Sequence, residues 1–284
     1  MAYNSLQDRL ITIERLYAKD VEKFDHLFGS MAMAHEKLGL LAYFARHDMI
    51  AFKRHWALAS RLWAHAARHM PKSDNYTSGG YMSKEHQLLH AMVSESHDAI
   101  DEVATLETYF LERFQDNTSA AEFSFHLAQL VIRGDYEAAQ AKIEIGGKKA
   151  RGKIKKAYET RTDFYSLLMK GDKAALENSI TDYFRIERRN TMPIVCDFVY
   201  PVATFRTKLC WYKNIPVEIE HPMVPMEWMP IDPLPGYDDI YDFLSPDWVP
   251  PDQGFISRLS RKFKREFPSV DACMKRIRAI DERP

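Results

Sequence analysis

The chain has few of the residues that announce chemistry. It carries three cysteines in 284 residues, Cys196, Cys210 and Cys273. An odd count without close spacing excludes a disulfide framework and a zinc knuckle. Glycine is scarce, at 11, and β-branched runs are rare, which points away from an all-β or glycine-loop architecture. No apolar run approaches the ~20 residues of a membrane-spanning helix. The opening MAYNSLQDRL has no basic head followed by an apolar core, so no secretory leader is read there and a reducing, cytoplasmic setting is expected. The formal net charge is −1, so bulk charge suggests neither nucleic acid nor membrane, and any electrostatic message is local. GxSxG, P-loop and GxGxxG patterns are all missing.

What remains is a composition of 46% hydrophobic and 28% charged residues, that of a globular chain long enough to bury a sizeable core. Apolar residues recur at helical spacing through most of it. Leu6, Leu10, Ile13, Tyr17, Val21, Phe24 and Phe28 predict one helix ended by Gly29. Leu38, Leu41 and Phe44 predict a second, ending near Arg46-His47. Phe52, Trp56, Ala59, Trp63 and Ala66 predict a third, closed by Pro71. After a polar loop from Lys72 to Tyr81, Ser83 is read as the cap of a helix carrying Leu88, Leu89, Met92 and Val93. Ile100 to Phe114 and Phe123 to Leu130 continue the pattern. The expected fold is all-α, a helical bundle or stacked helical hairpins.

An internal echo supports the hairpin reading. LVIRGDYEAAQAKI (Leu130 to Ile143) resembles LLMKGDKAALENSI (Leu167 to Ile180), 37 residues on. Gly134 or Gly171 ends one helix, and Asp135 or Asp172 caps the next. Alanines at Ala138, Ala139, Ala174 and Ala175 would let helices approach closely. Arg46-His47-Asp48 is a fainter third copy. Either this is a short repeat array or, as preferred here, it is a set of similar joints in one bundle.

From Thr191 to Met229 the chain reads TMPIVCDFVYPVATFRTKLCWYKNIPVEIEHPMVPMEWM. Ile194, Phe198, Val202, Phe205, Leu209 and Tyr212 predict one apolar helix with a kink at Pro201. Asn214 and Pro216 stop it. Val217 to Glu220 alternates apolar and acidic, as a short strand or extended segment would. Nine prolines fall between Pro216 and Pro251, with Trp228, Tyr237, Tyr241, Phe243 and Trp248 among them. A disordered linker would lack such aromatics, so this is read as an ordered wrap on the helical body. Residues 214–257 hold nine acids and no Lys or Arg, and residues 258–278 carry a net +6. The division expected is a helical body (1–213), an acidic, proline-rich wrap (214–254) and a basic helical tail (255–284).

The histidines are the first candidates for chemistry. His65 and His69, and His86 and His90, are i,i+4 pairs that zinc or iron could join. Neither pair has the Glu of HExxH or a Glu-x-x-His register, so no metal ligand, cofactor or catalytic residue is assigned and the chain is read as a non-enzyme. Lys148 to Lys156 (KKARGKIKK) could touch nucleic acid; a solvated loop and first helical turn is the reading preferred, and nucleic acid is not expected as a partner. A homo-oligomer is left open. Acids on a preformed surface can meet a basic cleft and speed association, with aromatics as anchors, or they can be a solvated face closed by the basic tail.

Lys213-Asn214-Ile215-Pro216-Val217-Glu218-Ile219-Glu220, with Pro222, Val224, Pro225 and Trp228-Met229 behind it, resembles the C-terminal signature of bacterial immunity proteins of the immunity protein 49 family. Asn214 stands where that signature has glycine, and Asn tolerates the same positive φ. The resemblance covers Thr191 to Met229 and does not extend to Pro230 to Pro284. It implies an all-helical inhibitor that binds a cognate bacterial toxin domain stoichiometrically. On that reading Glu218, Glu220, Asp238, Asp239, Asp242 and Trp248 face the partner, whose complementary surface would be basic, as in a nuclease. The alternatives are a helical-repeat scaffold binding nucleic acid or peptide, and a metal-dependent helical enzyme.

Overall fold

The computed structural model describes residues 2–19, 27–68, 84–184, 195–237, 239–245, 247–248, 252, 254, 256–257, 260 and 269–282. Among them the fold is all-α, and no strand occurs. The chain divides into two compact units, one from Met1–Pro71 with Leu234–Pro284, the other from Lys72–Pro233.

The first unit contains helices α1 (Ala2–Lys19), α2 (Phe28–Arg46), α3 (Met49–Arg68) and α14 (Val270–Glu282). Gly29 does not end α1; it lies buried in the first turn of α2. Apolar spacing ran on across that gap because Phe28 belongs to the core from its own helix. α2 and α3 form an antiparallel hairpin in which the Trp56 ring of α3 packs directly on Gly39 of α2. A Cβ there would stand 2.5 Å from the Trp56 ring, and the Trp56 indole donates to the Glu36 carbonyl at 3.3 Å. α14 is tied on by the Arg276–Glu14 and Arg46–Asp281 pairs.

The second unit opens with a 3-10 turn (Glu85–Leu88). There follow α4 (Leu89–Ser94), α5 (His97–Ala104), α6 (Tyr109–Phe114) and α7 (Ala121–Arg133). Next come α8 (Tyr136–Lys149), α9 (Gly152–Glu159), α10 (Phe164–Lys170) and α11 (Lys173–Tyr183). α12 (Val195–Phe198) and α13 (Pro201–Tyr212) complete it. The expected single helix through Pro201 is therefore two. Proline has no N–H and presets φ, so it suits the first helical position. The preceding Tyr200 leaves the helix and gives its N–H to the Met223 carbonyl at 2.8 Å.

One joint recurs. Helices end at Gly134 (φ 79°), Arg161 (φ 55°), Gly171 (φ 71°) and Asn214 (φ 59°). In each case the following N–H reaches back five residues, to Leu130, Ala157, Leu167 and Cys210 respectively, which satisfies an orphan carbonyl. An aspartate then caps the next helix: Asp135 accepts from Ala138 N–H, Asp163 from Ser166 and Asp172 from Ala175. His47 (φ 55°) and Asp48 make a looser copy. Of the four alanines in the echo only Ala139 is buried; Ala138 and Ala175 serve the caps. Pro71 and Ser83, the expected helix end and helix cap, lie outside the described residues.

Candidate functional site

In the second unit the site is built on α13. Phe205, Lys208, Leu209 and Tyr212 fall at i, i+3, i+4 and i+7, so Lys208 stands within the apolar stripe and is fully buried. A buried ammonium is costly unless it is paired and hydrogen-bonded. Lys208 has both. It pairs with the buried carboxylate of Glu95 and donates to the carbonyls of Trp228 at 2.8 Å, Met229 at 3.2 Å and Pro230 at 3.1 Å. The second Glu95 oxygen accepts the Asp232 N–H at 3.1 Å. Glu95 itself ends α4 at φ 60°. One ion pair thus holds the backbone of four residues of the proline-rich stretch, Trp228, Met229, Pro230 and Asp232, from beneath.

The stretch is held elsewhere too. The Asn214 turn brings the Val217 carbonyl to the Trp211 indole at 2.9 Å, and Lys213 donates to the Ile132 carbonyl at 3.0 Å. Val217 to Glu220 forms no strand, yet its alternation survives. Val217 and Ile219 are buried, while Glu218 and Glu220 are exposed. Glu177 accepts the Glu218 N–H at 2.9 Å, and the Glu218 carboxylate lies 3.7 Å from Lys173. Trp228 and Met229 point inward. Glu220, Glu227 and Asp232 join Glu218 on the outside.

The other expected contact residues belong to the first unit. The Asp239 carboxylate pairs with Arg61 of α3, whose guanidinium also donates to the Leu244 carbonyl at 2.8 Å. Asp242 is exposed, and Trp248 is half-buried with its ring 6.3 Å from Phe243. Asp238 lies outside the described residues. Tyr241 and Phe243 are buried, so these aromatics anchor the stretch to its own helices. Arg276 of the basic tail pairs with Glu14 of α1 and not with an acid of the wrap.

Beneath Tyr241 runs a buried polar chain that sequence reasoning missed. His35 Nε2 lies 2.8 Å from Tyr241 Oη, His35 Nδ1 lies 2.8 Å from His55 Nδ1, and His55 Nε2 lies 3.4 Å from Asp281 Oδ1. Arg46 pairs with the same carboxylate oxygen at 2.6 Å. One set of donor and acceptor roles satisfies every contact with both rings neutral. His55 gives Nε2–H to Asp281, which leaves its Nδ1 bare to accept from His35 Nδ1–H. His35 Nε2 is then bare and accepts the Tyr241 hydroxyl. Burial, then the neighbouring His55, hold His35 well below the ordinary imidazole range.

A second buried network joins Glu85, Tyr165 and Arg206. Tyr165 donates to Glu85 at 2.5 Å and Arg206 pairs with it at 2.6 Å. The Arg206 guanidinium lies 4.8 Å from both the Phe164 and Tyr183 rings. Burial, then the Glu85 charge, push the Tyr165 hydroxyl well up, so it stays a donor.

Of the paired histidines, His65 is buried with its ring 4.3 Å from Phe28 and 5.6 Å from Phe243, and His90 is buried in α4. His69 and the side chain of His86 lie outside the described residues. Among the described residues no group of three or more His, Cys, Asp or Glu side chains is placed to hold a metal ion. Burial pushes the Cys210 thiol up to about 12 and that of Cys273 to about 11, where neither is an activated nucleophile. No described helix is long and apolar enough to cross a membrane. Comparison of the chain with protein-family models, with curated proteins and with solved structures finds no match.

Proposed function

We propose that this chain is a non-catalytic immunity protein that neutralises a cognate bacterial toxin by stoichiometric binding, as the resemblance of Lys213 to Met229 implies. One observation carries the reading most. Glu218, Glu220, Glu227 and Asp232 stand exposed on a stretch without Lys or Arg, and its backbone is fixed from below by Lys208 and Glu95. A preformed acidic surface spends little ordering entropy on binding and steers a basic partner into contact. A nuclease cleft, basic because it holds phosphates, is such a partner. Asp242 and Trp248 are further candidate contacts, whereas the Asp239 carboxylate already serves Arg61.

The reading expects a large neighbouring reading frame that ends in a toxin domain, and the test is co-expression with that domain. The expected result is a 1:1 complex and restored growth. Glu220→Lys/Glu227→Lys/Asp232→Lys should slow association on the order of 10-fold or more at low salt. Absence of both complex and rescue would overturn the toxin reading. Rescue with unchanged association in the triple variant would remove this surface from it.

A further inference from the structure

We infer that the tip of the α8–α9 hairpin is a sequence-independent docking face for the phosphate backbone of a nucleic-acid duplex. Between Lys148 and Lys156 six cations follow one another with no acid among them. Lys155 pairs with Glu159 at 3.6 Å. The side chains of Lys148, Lys149, Arg151, Lys153 and Lys156 are exposed and form no hydrogen bond or ion pair with any described residue. The acids that could have neutralised them are taken, Glu144 by Arg161 at 3.2 Å and Glu159 by Lys155.

The tip is rigidly mounted. The Tyr158 ring lies where a Cβ on Gly146 would meet it at 2.6 Å, and Glu159 packs over Gly147. Tyr158 also sets its edge against Phe123, 5.8 Å away. α9 has no buried residue at all, so its charged side chains project from a fixed platform. Holding five like charges together costs repulsion that an anionic partner would relieve.

The residue types select the partner. Lysine is depleted from protein–protein interfaces, and no aromatic ring lies between Lys148 and Lys156. A bilayer-surface helix needs an apolar face, but the one large apolar residue that α9 exposes is Ile154, at 58%, whereas Lys153 and Lys156, its cations without a partner among the described residues, share a face at i,i+3. Without aromatics, base stacking has no platform. What remains is charge on a firm base, which suits regularly spaced phosphates. The inference is independent of the toxin reading, because it concerns the chain alone.

The experiment is fluorescence anisotropy of a labelled 25-base-pair DNA duplex of arbitrary sequence with the full chain. Five phosphate contacts give a log–log salt slope of about −4.5, so affinity should fall roughly 500-fold between 50 and 200 mM salt. Replacing Lys148, Lys149, Arg151, Lys153 and Lys156 by Gln should abolish binding with the helical circular dichroism unchanged. Should that variant fold poorly, Lys153→Gln/Lys156→Gln should reduce the slope by about two. Lys275→Gln/Arg278→Gln, in α14, should leave it intact. Any of three results would overturn the proposal: no duplex binding at 50 mM salt, loss of binding in the Lys275/Arg278 variant instead, or tighter binding to phosphatidylserine vesicles than to duplex.

Discussion

Lys208 and Glu95 are both buried, and they divide the proline-rich stretch between them: the ammonium takes the carbonyls of Trp228 to Pro230, and the carboxylate takes the N–H of Asp232. Removing one partner strands the other, which costs about 3–5 kcal/mol, whereas removing both together costs much less. Lys208→Met should therefore lower the denaturation midpoint sharply, and Lys208→Met/Glu95→Gln should recover part of the loss. Urea titrations of the four corners of that cycle measure it. A double variant as unstable as the single one would mean that the carbonyl bonds, not the charge pair, dominate.

The His35–His55 chain makes a pH prediction with a definite sign. His35 is depressed in the folded protein, so the unfolded chain binds the proton more readily. Its contribution to stability is complete above pH ~6.5 and is lost as pH falls from there towards the folded value, at up to about 1.4 kcal/mol per unit. His126, lowered to about 4 by burial and by Lys142 and Arg133, adds a second loss of the same sign. Glu14 and Glu122, raised by burial, act oppositely, because their folded forms hold protons more tightly. Thermal melts from pH 7 to 5 should fall for the parent and fall less steeply for His35→Gln, the comparison that isolates the imidazole.

Arg161 and Asn214 both occupy the left-handed region, where a Cβ costs roughly 1 kcal/mol. Arg161→Gly should raise stability by about 0.5–1 kcal/mol, since the Arg161–Glu144 pair it removes is largely solvated. Asn214→Gly should be neutral or better and Asn214→Val clearly worse. Chemical denaturation of the three variants separates backbone strain from side-chain loss.

Gly39→Ala tests the α2–α3 hairpin. The added methyl would overlap the Trp56 ring, and overpacking of this kind costs about 1–3 kcal/mol. Near-ultraviolet circular dichroism should report the displaced indole along with a lower melting midpoint.

The helices were legible where short-range chemistry sets their ends. Gly134-Asp135 and Gly171-Asp172 announced stop and cap, and Asn214 took the positive φ expected of it. Gly29 misled because glycine permits a left-handed end without requiring one. Pro201 was visible as an irregularity, but the break depends on the Met223 carbonyl, 23 residues away, that receives the Tyr200 N–H. The wrap's aromatics were readable as ordered. Their direction was not, because Tyr241 meets a histidine 206 positions earlier. The Lys208 clasp did leave a trace, since a lysine within the Phe205–Leu209–Tyr212 stripe has no solvated place to go. Its partners, Glu95 and three carbonyls, share no periodicity with it.

The first unit joins Met1–Pro71 to Leu234–Pro284, with the 162 residues of Lys72–Pro233 between them. At the ribosome's pace of about 5–20 residues per second, α1, α2 and α3 wait roughly 9–35 s for Tyr241 and roughly 11–43 s for Asp281 to be synthesised. During that interval His35 and His55 have only each other, and the apolar face that Phe243 later covers stands open. The second unit is contiguous and meets no such delay. A premature stop before Leu234 would leave that unit permanently at the same unfinished stage.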